Sequence, residues 1–97
     1  MSRPTMPTLV FELLRYSHAH PQASDSAEGI ARWWLDADAG VDRQALDEAL
    51  AWLVAQGAYA ERIAADGRRR WRRVCSDARL QQLLSHAQAQ LAGGTQG

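Results

Sequence analysis

Only one cysteine, Cys75, occurs in the 97 residues, so neither an intrachain disulfide nor a cysteine-based zinc site is available. Long apolar runs are also missing. Residues 9–11 are apolar, but Glu12 interrupts them, far too early for a signal-peptide core or a spanning helix. A soluble, cytoplasmic chain with no membrane association is therefore expected. Lysine is absent, and every basic side chain other than histidine is arginine. No nucleophile, base and orienter set, phosphate-binding glycine loop or carboxylate pair can be found, so neither enzymatic activity nor a cofactor is expected. His18 and His20 are two residues apart. They would not share a helical face and have no carboxylate at ligand spacing, which argues against a metal site.

What remains is an ordinary globular composition with 46% hydrophobic residues, enough for one domain that buries roughly two thirds of its unfolded surface. Formal net charge is zero, but the charges are segregated. Residues 1–61 carry four arginines against nine acids, whereas residues 62–74 carry six arginines against Asp66 alone. A concentrated basic patch attracts polyanions even on a neutral protein.

Hydrophobic periodicity predicts a first helix over residues 6–18, with Met6, Leu9, Val10, Leu13, Leu14 and Ser17 facing a core. Pro21 ends it, because the residue before proline is driven out of the helical region. A second helix follows to Leu35, with Asp25 and Glu28 at capping-box spacing. Ala27, Ile30, Trp34 and Ala31 supply its buried face. Gly29 costs about 1 kcal/mol inside a helix, which fits a close crossing with a neighbour. Residues 36–40 turn the chain. Asp42 is a good N-cap for a third helix, and Val41 can staple onto Leu46. Leu46, Ala49, Leu50, Leu53 and Val54 form its core stripe, and Gly57 stands where a left-handed C-cap belongs.

Asp66-Gly67 is a two-residue hairpin signal. Such a turn sets Tyr59 opposite Val74, Glu61 opposite Arg72 and Ile63 opposite Arg70. On the other face Ala60 meets Arg73, and Arg62 meets Trp71 in cation–π contact. A longer loop beginning at Ala64 would shift these pairs. Ser76 caps a last helix over residues 76–91, where Leu80, Leu83, Leu84, Ala87 and Leu91 share a face.

Three helices, a glycine and a basic hairpin resemble the winged helix-turn-helix superfamily of small bacterial DNA-binding proteins. Residues 9–74 carry the resemblance, and its most specific piece is ALAWLVAQGAYAERI, residues 49–63. The fold this implies is mainly α with a β-hairpin: three helices, a two-stranded wing and a C-terminal helix. The corresponding division is a flexible N-terminus (1–5), a winged helix domain (6–75), the C-terminal helix (76–91) and a flexible tail (92–97). The short strand that many family members place between their first two helices has no evident counterpart in the sequence.

The function implied is double-stranded DNA binding, as in a small transcriptional regulator. Arg62, Arg68, Arg69, Arg70, Arg72 and Arg73 would hold the phosphate backbone, since guanidinium forks match phosphate oxygens. Four or five such contacts imply a slope of log K against log salt near about −4. The third helix would offer Arg43, Gln44, Asp47, Glu48 and Ala51 to the groove. Of these, Arg43 suits guanine and Gln44 suits adenine. Asp47 and Glu48 make the face acidic. The alternative function is a winged-helix module for protein–protein contact or oligomerisation, with the acidic helix, the C-terminal helix or the tryptophans meeting a partner. Trp34 is expected in the core, and Trp33 and Trp52 at its edge or at an interface. The C-terminal leucine stripe either pairs two copies as a homodimer or folds over the first helix. Cys75 is expected to be a small buried residue.

Overall fold

The computed structural model describes residues 6–35 and 42–94. The expected flexible N-terminus, the turn at 36–40, the Val41 staple and the last residues of the tail lie outside the described residues. Helix α1 (Met6–Ala19) leads to a short strand β1 (Ser24–Asp25) and helix α2 (Ala27–Gly29). Helix α2 continues directly as a π-helical turn over Ile30–Trp34. Then come α3 (Arg43–Ala55), strands β2 (Tyr59–Ile63) and β3 (Arg69–Arg73), and helix α4 (Asp77–Gly94). The fold is mainly helical, with a small antiparallel sheet ordered β1-β3-β2. Among the described residues, no helix is long and apolar enough to cross a membrane.

Helix α1 is the hub, packing on α3 along one side and on α4 along another. Its Leu9, Val10, Leu13 and Leu14 meet Leu46, Ala49, Leu50 and Leu53 of α3 and Leu80, Leu83 and Ala87 of α4 in one core. The apolar stripe of α4 is thus buried within its own chain. Ser76 caps this helix by accepting from Arg79 N (3.2 Å). The helix runs to Gly94, three residues past the expected end. Ser17 is the buried polar side chain of α1. Its Oγ (3.0 Å) and the Tyr59 hydroxyl (2.8 Å) both close on the Leu13 carbonyl oxygen and on each other. Burial pushes the Tyr59 hydroxyl pKa up, so this node stays neutral.

Two expectations for the second helix need correction. The N-cap is Ser26, whose Oγ accepts from Gly29 N (3.3 Å). Asp25 lies one residue earlier in β1, paired with Trp71, and its Oδ1 accepts from Ser26 N (2.8 Å). The close approach at Gly29 comes not from a crossing neighbour but from the Asp25 carboxylate, four residues earlier: a Cβ there would lie 2.0 Å from Oδ1. Leu35 N donates to Ile30 O (3.1 Å), five residues back. This wide turn leaves Trp34 buried and stacked on Tyr16 (4.9 Å, 15° between planes), while Trp33 remains 68% exposed. Trp52 is half-buried.

Helix α3 follows its sequence signals. Asp42 accepts from Gln44 N (3.1 Å), and Gly57 ends the helix at φ +73°. The hairpin does not follow the two-residue turn. Its loop is three residues, 65–67, with Ala64 N donating to Arg68 O (2.8 Å) and Gly67 at φ +82°. A type I turn followed by a left-handed glycine is a favoured hairpin closure. The register moves by one residue, to Tyr59 with Arg73, Ala60 with Arg72, Glu61 with Trp71, Arg62 with Arg70, and Ile63 with Arg69. The expected Glu61–Arg72 pair and Arg62–Trp71 stacking are therefore not formed. The expected two-stranded wing becomes a three-stranded sheet, because β1 adds Ser24 opposite Arg72 and Asp25 opposite Trp71. Two residues are too few for an alternating pattern to reveal a strand.

Candidate nucleic-acid interface

The exposed face of α3 is the one expected: Arg43, Gln44, Asp47, Glu48 and Ala51 are all exposed. Its polar groups are already engaged with one another. Arg43 donates from Nη1 to Glu28 Oε1 and from Nε to Asp47 Oδ1, both at 3.1 Å. Gln44 Nε2 lies 3.5 Å from Glu48 Oε1. A backbone hydrogen bond and then the Arg43 guanidinium hold the Glu28 carboxyl below its ordinary pKa. Asp47 and then Glu28 push the Arg43 pKa up. Arg43 is thus a cation already held by two carboxylates.

A cleft of 720 Å³ separates this face from the sheet, lined by Glu28, Arg43 and Asp47 on the helical side and by Glu61, Arg68 and Arg69 on the sheet side. The sheet-side arginines also have carboxylates beside them. Arg69 Nε lies 3.0 Å from Glu61 Oε1, and Arg68 Nε lies 3.8 Å from Asp66 Oδ2. Glu61 and Arg69 flank buried Trp71 on the inner face of the sheet, so their pairing follows from the observed register.

Strand alternation sends successive side chains to opposite faces. Arg70 and Arg72 flank Trp71 and therefore lie on the outer face, where Arg62 opposes Arg70 and Ala60 opposes Arg72. All three arginines are exposed. Arg70 donates from Nη2 to Ser24 O (3.0 Å). Among the described residues, Arg62, Arg70 and Arg72 have no carboxylate partner, in contrast to the cleft arginines.

Arg73 is placed differently. Its side chain is only 7% exposed and pairs with Asp77 through Nη2. Its Nε donates to Cys75 O (3.0 Å), while Nη1 is buried with no hydrogen-bond partner. The hydrogen bond from Arg73 holds the Asp77 carboxyl below its usual range. Cys75 is half-buried and free. The six arginines of the hairpin thus divide into three on the outer face, two in the cleft and one tied into the base of the sheet.

Sequence reasoning missed the carboxylates that hold the α3 and cleft cations. Arg43 and Asp47 stand four apart in one helix, a spacing at which opposite charges meet, so that pair was open to inference. The Glu28–Arg43 and Glu61–Arg69 contacts depend on helix placement and on hairpin register, which no local pattern encodes. Among the described residues, no group of three or more His, Cys, Asp or Glu side chains is gathered to hold a metal ion. No family model matches the chain, and neither a curated protein nor a solved structure gives a significant match.

Proposed function

We propose that this chain is a winged helix-turn-helix that binds double-stranded DNA, in the manner of a small transcriptional regulator, with its sheet arginines on the phosphates. The element order supports this reading. Helix α1 is followed by a short strand, two helical segments and a hairpin, and β1 occupies the position of the strand that many winged helices carry between their first two helices. The observation that carries the function is the set Arg62, Arg70 and Arg72, exposed on one face without a carboxylate partner among the described residues. Arginine forks satisfy phosphate oxygens in pairs, and an unneutralised cluster raises the local concentration of a polyanion.

The test is fluorescence anisotropy of a labelled random-sequence duplex at about 50 and about 200 mM salt. Three phosphate contacts predict micromolar binding at the lower salt and a loss of about 40-fold at the higher one. Absence of binding at low salt overturns the reading. A second reading, a protein–protein module, is favoured by Trp33, which is 68% exposed, and by the carboxylates spread along α3. Under that reading the chain is indifferent to DNA and associates with a basic partner.

A further inference from the structure

We infer that the duplex lies on the outer face of the three-stranded sheet, held by Arg62, Arg70 and Arg72, and does not enter the cleft in front of α3. This rests on the DNA-binding reading above and specifies which surface performs it. The two surfaces are on opposite sides of the same sheet. Trp71 is buried on the inner side, where Glu61 and Arg69 look across the cleft to Arg43 and Asp47. Arg70 and Arg72 alternate with Trp71 and point the other way, joined by Arg62 across the ladder.

The electrostatics of the two sides differ in kind. In the cleft every arginine already has a carboxylate: Arg43 has Glu28 and Asp47, Arg69 has Glu61, and Arg68 has Asp66. A phosphate entering there would have to displace these carboxylates and would then face them at close range. On the outer face Arg62 and Arg70 stand directly opposite each other as like charges. That arrangement disfavours the hairpin by itself, and an anion laid across the pair relieves it. Among the strand residues, the other side chains on this face are the small ones of Ala60 and Ser24, both opposite Arg72. Their size leaves room over the strands for a rigid duplex. Arginines two residues apart on a strand stand about 7 Å apart, a separation that long guanidinium arms can fit to neighbouring phosphates.

Such binding has a definite character. Its contacts are to the backbone, which carries no direct sequence information, so duplexes of unrelated sequence bind alike. With three contacts, the slope of log K against log salt is near about −2.7 per monomer, shallower than the six arginines of the hairpin would give together. Helix α3 contributes no base discrimination, and the cleft stays open while DNA is bound.

The experiment compares R62A/R70A/R72A with R43A/Q44A and R68A/R69A by anisotropy on several unrelated duplexes at a series of salt concentrations. Circular dichroism checks that each variant retains its helices. The expected result is that the outer-face variant loses the most affinity, with the salt slope shrinking by about one unit per arginine removed. R62K/R70K/R72K should recover most of the binding, because it keeps the charges in place. A larger loss in R43A/Q44A or R68A/R69A overturns this placement of the duplex while leaving DNA binding intact. Strong sequence preference in the unaltered protein also overturns it. Absence of binding by the unaltered protein would overturn both readings together.

Discussion

Arg62 and Arg70 are direct cross-strand partners in the hairpin, both exposed on the same side of the sheet, with the Arg70 guanidinium turned toward Ser24 O on the neighbouring strand. Like charges in that position oppose pairing. Both strands form nonetheless, because Tyr59 and Trp71 anchor them from the buried side. On the DNA-binding reading proposed above, this conflict with local stability falls at a functional site, where such conflicts are expected.

Replacing Arg62 by threonine should therefore stabilise the protein while weakening DNA binding. The gain is expected to be about 0.2–1 kcal/mol, since threonine also suits a strand. Urea denaturation at low and high salt provides the check. The gain should shrink as salt screens the repulsion. No gain at low salt would remove the repulsion from the account.

The pH dependence follows from Asp77 and Glu28, whose carboxyl pKa values both lie below their ordinary values in the fold. A depressed carboxylate contributes stability that is present above its unfolded pKa and lost as pH falls through its folded one. The melting temperature should thus change little between about pH 7 and 5, then fall below about pH 4. The variant Asp77→Asn should flatten part of that fall, since protonation at this site no longer breaks the pair with Arg73. Thermal melts from pH 3 to 7 on both proteins test this, and an undiminished fall in the variant would count against the pair.

Gly57 closes α3 at φ +73°, and an added Cβ would meet nothing within 4 Å. The cost of Gly57→Ala is then purely backbone strain in the left-handed region, about 1–2 kcal/mol. Chemical denaturation should register this with little change in the slope against denaturant. A neutral substitution would mean that the chain relaxes locally without disturbing β2.

Most of the helical framework was legible because short-range physics dictates it. The stripe on α1, the Asp42 cap, the Gly57 stop and the Ser76 cap each depend on residues within a turn of one another. The Ser26 cap was misplaced by one position, since Asp25 and Ser26 are both competent caps and only pairing with Trp71 removes Asp25 from the competition. The third strand was invisible for a related reason: Ser24 and Asp25 become a strand through their partner, β3.

By itself, the sequence determined the segregation of charge, the helix positions, the glycine stop and the hairpin, all of which rest on composition and local periodicity. Tertiary structure decided what each arginine faces. Choosing between a two- and a three-residue loop moves the ladder by one position, and with a side-chain period of two that step reassigns every partner. The fold settled it by burying Trp71 beside Tyr59. Burial of those two rings against the helices outweighs the local preference of Asp66-Gly67 for a tighter turn, because apolar area removed from water stabilises more than a turn residue does. The same step put Arg62, Arg70 and Arg72 on one face, with Glu61 and Arg69 together on the other.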